Sequence, residues 1–299
     1  MTCFQQAAEC LPMRLRTQVN HLPEEVKQQA EEFRLRVGRP LSILTPEGEQ
    51  RPWTEQVSGE DLETVVNMAT EFSRYSAVES LRNGYLSARG GCRIGLCGTA
   101  VLRDGVNTNL RDLTSVAIRI AREKIGIAEP LMSQLFEEGV FQSTLILAPP
   151  GGGKTTLLRD MVRCLSNGGE GRPSHRVSVV DERGEIAVCC QGEPQMDMGS
   201  CTDVLDGCPK AMGIPMVMRA MNPQIIAVDE ITMEEDIRAM ASAANCGVSL
   251  LATIHAAGTE ELMQKPLYHQ LLNARVFDRA VLIRCEGAER VYQVEELPC

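Results

Sequence analysis

The sequence predicts an α/β protein in two parts: a smaller α+β domain over residues 1–125, then a domain built on a parallel sheet over residues 126–299. Three observations lead there. Residues 143–156 read STLILAPPGGGKTT, an apolar run that enters a Pro/Gly turn and continues into a helix-like segment. Three later apolar runs, HRVSVVDERGE, QIIAVDE and GVSLLATIH, each end in acidic or polar residues, as buried strands of a parallel sheet do. Upstream, the apolar/polar alternation of FRLRV and SVAIRI, with glycine-rich sequence between them, reads as short half-buried strands.

Composition narrows the function. The net charge of −10 removes a bulk basic surface while leaving a local basic groove open, and 4% aromatic residues disfavour a base-stacking platform, so nucleic acid is not an expected partner. The 12 cysteines are scattered without a CxxC pair, and Cys201 and Cys208 lie too far apart for a zinc knuckle, so they read as reduced thiols, with a metal site among Cys189, Cys190, Cys201 and Cys208 as the lesser alternative. The opening MTCFQQAAECLP has neither a basic stretch nor an apolar core, so no export signal is expected. No apolar run reaches membrane-spanning length, which leaves any membrane association to partners.

In chain order, residues 22–32 predict a helix with Pro23 in its first turn. Residues 33–37 and 41–44 predict two strands joined at Gly38-Arg39-Pro40, and 48–52 a loop. Ser58 and Asp61 form a capping-box pattern for a helix to residue 72. Residues 82–102 suggest short strands broken at glycines, Asp104-Gly105 a hairpin turn, and 115–120 a strand. A linker is expected at 123–129 and a helix at 130–138. Beyond the glycine loop come a strand at 175–180, a loop at 191–207, a helix at 209–221 and a strand at 224–230. Thr232 and Glu235 suggest a capping box for a helix through Ala244, and 247–254 a buried strand. A helix or two and a pair of strands at 280–285 and 290–294, around the turn Glu286-Gly287, complete the chain.

Strand, glycine loop and helix in that order make a P-loop, where backbone N–H groups and the helix start face phosphate oxygens. Pro150, Gly151, Gly152, Gly153, Lys154, Thr155 and Thr156 are the expected cradle. Lys154 is suited to the β- and γ-phosphates and Thr155 to Mg²⁺. Ala148 stands where the strict pattern has glycine. The ends of the later strands supply Asp181, Glu182 and Glu185, then Asp229 and Glu230, then Thr253 and His255. Asp229 fits a metal-shell carboxylate and Glu230 a base for the attacking water. Among Arg89, Arg93, Arg103, Arg111, Arg119 and Arg122, the ordinary reading is a solvated strand face; the functional one is that one or two reach a phosphate.

An extra strand in the sheet and Glu230 beside Asp229 resemble the additional-strand, catalytic-glutamate P-loop ATPases, the RecA-like and AAA+ proteins. No Asn-Lys-x-Asp motif is present, which favours ATP over GTP. MNPQIIAVDEITMEED and ASAANCGVSLLATIHAAG resemble the Walker-B and His-box run of the secretion-ATPase superfamily, and HRVSVVDERGEIA its Asp box. Together with EFRLRVGRPLSI, RGGCRIGLCGTAVL and RDLTSVAIRIAREKIG, the pattern resembles the stage III sporulation protein AA family of endospore-forming bacteria over nearly the whole chain.

That resemblance implies a RecA-like ATPase that hydrolyses ATP with Mg²⁺ as a hexameric ring motor. It implies a cytoplasmic protein of the mother cell, peripheral to the membrane and working with membrane proteins of a sporulation channel complex. Lys154, Glu230 and His255 would be catalytic, Thr155 and Asp229 metal-holding, and Glu182 and Glu185 Asp-box acids. The sequence departs from the superfamily in having Asp229 before the glutamate and Thr232-Met233 where an arginine is usual. The charge-stabilising finger is therefore open among Arg111, Arg119, Arg122 and Arg219. The alternative expectation is an ATP-binding assembly switch with little turnover.

Overall fold

The computed structural model describes residues 2–70, 81–82, 84–103, 105–120, 123–169, 171–262, 264, 266–286 and 289–297. Asp104, Arg122, residues 71–72 of the Ser58-capped helix and Gly287 of the last turn lie outside the described residues. The chain forms two compact units, Met1–Arg122 with Cys189–Gln195, and Glu123–Val188 with Met196–Cys299.

In the first unit, helices α1 (Cys3–Glu9), α2 (Met13–Asn20), α3 (Glu24–Gln29) and α4 (Gly59–Ala69) accompany a six-stranded antiparallel sheet. Its strands are β1 (Glu32–Arg36), β2 (Ser42–Thr45), β3 (Gly48–Gln50), β4 (Tyr85–Ala88), β5 (Cys92–Arg103) and β6 (Val106–Arg119), in the order β3-β2-β1-β6-β5-β4. Phe33 and Leu35 of β1, Ile94 of β5 and Ile118 of β6 are buried with Phe4, Leu15, Leu62 and Val65 of the helices. Alternate strand positions thus build one core face, as the sequence period requires. The Ser58–Asp61 capping box of α4 is present: Ser58 Oγ accepts from Asp61 N–H at 3.2 Å, and Asp61 accepts from Ser58 N–H at 2.7 Å.

Several expectations need correction here, beginning with the loop over 48–52, where Gly48–Gln50 form β3 and pair antiparallel with β2. Residues 3–20, for which the sequence predicts no element, form α1 and α2, and a capping box between Thr2 and Gln5 starts α1. Glu32 belongs to β1 and not to a helix reaching residue 32. The glycine-rich stretch begins as expected, with the short strand β4 and a turn at Gly90-Gly91, but does not continue as short strands. β5 runs unbroken for 12 residues against β6, and Gly98 sits at a register shift where a Cβ would lie 2.7 Å from the Arg111 carbonyl. The glycine accommodates a bulge within a strand and does not end it.

The second unit opens with a short helix α5 (Glu129–Met132), a 3₁₀ turn and a two-stranded ribbon, β7 (Phe136–Glu137) with β8 (Val140–Phe141). This corrects the helix expected over 130–138: Phe136 and Phe141 pack edge-on at 5.6 Å across the ribbon, and Gly139 turns it at φ +82°. A seven-stranded sheet follows, built from β9 (Thr144–Ala148), β10 (Val177–Asp181), β11 (Thr202–Asp206), β12 (Ile225–Glu230), β13 (Ser249–His255), β14 (Arg279–Glu286) and β15 (Glu289–Glu296). The order is β11-β10-β12-β13-β9-β14-β15, parallel throughout except for β15 at one edge. The polar stretch expected to be all loop over 191–207 contains β11, an edge strand.

Helices α6 (Lys154–Asn167), α7 (Lys210–Met221) and α8 (Glu234–Asn245) follow β9, β11 and β12 respectively. All five residues of β9 are buried, and burying Leu145, Ile146 and Leu147 contributes about 1.5–3 kcal/mol each. The start of α8 differs from the expected Thr232–Glu235 box: Asp236 reaches back to accept the N–H groups of Thr232 and Met233, both at 3.2 Å.

Candidate functional site at the carboxyl ends of the parallel strands

Because β9, β10, β12 and β13 run parallel, their carboxyl ends share one sheet edge, and the polar residues that close each strand gather there. After β9 the chain turns through Pro149 and Pro150, with Gly152 N–H donating to Pro149 O at 3.0 Å. Gly151 and Gly153 take φ of +73° and +96°, which L side chains resist. Gly152 is required for space: a Cβ there would lie 2.7 Å from the Ala148 methyl and 2.9 Å from Pro149 O. The same contact explains how Ala148 can stand in place of glycine, since its methyl fills the room that Gly152 leaves. Helix α6 then starts at Lys154 with no side-chain cap, so its first N–H groups are donors facing the loop. Thr155 and Thr156 are half-buried in its first turn.

Lys154 is buried, and its Nζ donates to Ala148 O at 3.0 Å, to Pro149 O at 3.4 Å and to His255 Nδ1. Burial pushes its pKa down, with the Glu230 carboxylate opposing. His255 ends β13 and pairs in register with Ala148. Its Nε2 lies 2.8 Å from Glu230 Oε2. One tautomer satisfies both contacts: Nδ1 accepts from the ammonium and Nε2–H donates to the carboxylate, an assignment made from the bonding pattern. Register places Glu230 beside Thr253, after an irregularity in the β12–β13 ladder that begins at Ala227. The loop lysine, the histidine and the carboxylate thus form one bonded chain.

A second group adjoins it. Asp229 Oδ1 accepts from Lys210 Nζ at 2.8 Å, and Lys210 also pairs with Glu182. Lys210 is fully buried, and Asp229 Oδ2 is buried without a hydrogen-bond partner among the described residues. Burial alone would lower the Lys210 pKa, but its two carboxylate partners outweigh that and raise it. The Asp229 pKa is also raised, by burial first and by Asp181 and Glu182 besides, with Lys210 opposing. The Lys210 ammonium, within bonding distance of two carboxylates, stays charged.

The 181–187 loop is clamped from two sides. Asp181 is fully buried and accepts the N–H groups of Glu185, Ile186 and Ala187, each at 2.9 Å. Arg159 of α6 donates to Ile186 O at 2.7 Å and Glu185 O at 2.9 Å. Asp181, expected among the nucleotide-binding acids, therefore has both oxygens engaged in shaping this loop. Glu182 faces Lys210, and Glu185 contributes its carbonyl to Arg159. Of the candidate finger arginines, Arg111 and Arg119 are exposed on β6 of the first unit, and Arg219 is exposed in the last turn of α7.

Sequence reading missed Lys210 and Arg159. Lys210 had a signal: a lysine at a helix start opposes the helix dipole and calls for nearby carboxylates. Arg159 had none, being one basic residue on an amphipathic helix.

A parallel sheet with a glycine loop after β9, two carboxylates after β12, and β13 between those strands defines a RecA-like P-loop ATPase fold with the additional strand and its glutamate. The chain belongs to the family described as sporulation stage III, protein AA, whose model matches residues 3–294. It is 39% identical over 290 residues to stage III sporulation protein AA of Bacillus subtilis (strain 168), covering 97% of this chain and 94% of that one. An uncharacterized protein, ycf45, of Cyanidium caldarium is 30% identical over 171 residues, 54% of this chain and 46% of its own. Among solved structures, the Legionella pneumophila ATPase DotB superposes with a TM-score of 0.62 at 14% identity, covering 95% of this chain and 80% of that one. The pilus retraction motor PilT with bound ADP superposes with a TM-score of 0.64 at 15% identity, covering 92% and 82%. At such identities the likeness concerns the fold. No helix among the described residues is long and apolar enough to cross a membrane.

Proposed function

We propose that this chain is a Mg²⁺-dependent ATPase of the secretion-motor type. In this reading it works as a hexameric ring in the cytoplasm of the mother cell, held to the membrane by a channel complex during endospore formation. The sporulation relative supports the setting, and the fold shared with DotB and PilT supports the motor. The observation that carries the chemistry is the bonded chain Lys154–His255–Glu230 beside the glycine loop.

Residues 150–156 would cradle the phosphates, with Lys154 exchanging its carbonyl acceptors for β- and γ-phosphate oxygens. Asp229 and Thr155 would hold Mg²⁺, which supplies charge neutralisation at those phosphates when bound. Asp229 Oδ2, buried and without a hydrogen-bond partner among the described residues, fits a cation's shell. Glu230 would orient a water and take its proton as the water oxygen bonds to the γ-phosphorus and the bond to the β-bridging oxygen breaks, releasing ADP. His255 holds Glu230 in place and links it to Lys154, so departure of the lysine toward phosphate would change what His255 bonds. That link suits a sensor of the γ-phosphate.

Phosphate release by the purified protein tests this reading. Wild type is expected to turn over ATP only with Mg²⁺, and Lys154→Ala to lose nucleotide binding. Glu230→Gln should keep binding while turnover falls by roughly 10²–10⁴-fold, since an amide cannot accept the proton. Wild-type turnover in Glu230→Gln would remove the base assignment. Tight binding without turnover in the wild type, with or without membrane partners, would instead favour an assembly switch.

A further inference from the structure

The last hairpin of the second unit brings an arginine to the glycine loop. Strand β14 runs parallel to β9 with Leu282 level with Leu147, and it pairs with β15 so that Cys285 lies opposite Arg290. Cys285 is three residues beyond Leu282, so Arg290 stands about 10 Å past that level, beyond the end of β9 where the loop begins. The side chain turns onto the loop. Arg290 Nε donates to Gly152 O at 3.0 Å. A Cβ on Gly153 would lie 2.9 Å from Arg290 Nε, 3.3 Å from its Cδ and 3.5 Å from its Cζ. The Arg290 side chain therefore packs on Gly153, the residue immediately before Lys154, whose φ of +96° is what calls for glycine there.

This contact has a direction. The bond to Gly152 uses Nε, and a guanidinium carries two further nitrogens on its fork, suited to paired oxygens of a phosphate. Arg290 is exposed, and its bond through Nε to the loop backbone holds the cation next to any polyphosphate that the same loop holds. Lys154 is committed to the β- and γ-phosphates from the helix start, whereas Arg290 approaches from β15, at the opposite edge of the sheet from β11.

We propose that Arg290 is a nucleotide-binding residue that grips the phosphate chain of the bound nucleotide from within the same subunit, independently of any finger arginine. This rests on the reading of residues 150–156 as a nucleotide cradle. Because the contact is to phosphates present in both substrate and product, Arg290 should strengthen ATP and ADP binding alike.

Fluorescence anisotropy with a mant-labelled ADP, and competition by unlabelled adenosine, tests it on the full chain. Lys154→Ala serves as the control for the cradle, and thermal unfolding checks each variant's fold. Arg290→Met is expected to weaken ADP about tenfold while leaving adenosine competition unchanged, and Arg290→Lys to recover part of the loss as a point charge without the fork. Unchanged ADP affinity in Arg290→Met would overturn the assignment while leaving the cradle intact. Equal losses for ADP and adenosine, or an Arg290→Lys as weak as Arg290→Met, would also overturn it, showing that Arg290 only shapes the loop. No ADP binding by wild type, matching Lys154→Ala, would remove the cradle and this inference together.

Discussion

Lys210 is the first residue of α7, a place where the helix dipole disfavours a cation, and it is fully buried. Both facts are reconciled by Asp229 and Glu182, which share its ammonium. Replacing a buried cation while its carboxylates remain leaves uncompensated charge, so Lys210→Met should lower stability by about 3 kcal/mol at neutral pH. The loss should depend on pH with a definite sign. Burial already raises the Asp229 pKa, and Lys210 is what opposes that rise. Without Lys210 the folded-state value climbs further above the unfolded one, so the folded variant binds a proton that the unfolded chain does not. The deficit should therefore shrink as pH falls from 7 toward 5.5, which urea unfolding of variant and wild type at the two values would measure. A deficit that grows on acidification would mean that Asp229 is not the group left exposed to burial.

Among the elements, the legible parts were those whose physics is local or repetitive. The buried parallel strands β9, β10, β12 and β13 read as continuous apolar runs because both faces are covered, and their polar last residues marked the site edge. The α4 start was readable because Ser58 and Asp61 satisfy each other's backbone groups. What escaped depends on tertiary context. β11 is polar and half-exposed and exists through its pairing with β10. Gly98 looked like a chain break because its role, room for the Arg111 carbonyl, belongs to the neighbouring strand. The α1 start was readable in principle, since Thr2 and Gln5 have capping-box spacing.

Gly213 in α7 belongs with Gly98: a Cβ there would lie 2.5 Å from Val180 Cγ1 and 3.1 Å from Leu205 Cδ2. Alanine gains about 1 kcal/mol of helix propensity over glycine, while overpacking costs about 1–3 kcal/mol. Val180 is fully buried and β-branched, so it has little freedom to move aside, and the steric cost should win. Gly213→Ala should thus destabilise by about 1–2 kcal/mol in urea unfolding, against the usual trend for glycine in a helix. A stabilised variant would show that α7 can lift from the sheet.

For the whole molecule, the proposed ring sets a constraint that charge alone lets one test. Each chain carries a net charge of −10, so bringing six together raises a repulsion that only close contacts or screening can offset. The Debye length is about 8 Å at physiological salt and about 30 Å at 0.01 M, so acidic subunits repel across an interface far more strongly in dilute buffer. Nucleotide should act in the opposite direction if a neighbour's arginine completes the site, because bound phosphates then give that cation an acceptor across the interface. Light scattering of the purified protein should find hexamer with ATP and Mg²⁺ near 0.15 M salt and smaller species near 0.01 M, with Lys154→Ala remaining small in both. Glu230→Gln, which binds without turnover, should hold the ring longest and makes the sharpest sample. Monomer in all these conditions, for wild type and Glu230→Gln alike, would show that the chain does not close a ring by itself and that membrane partners must template it.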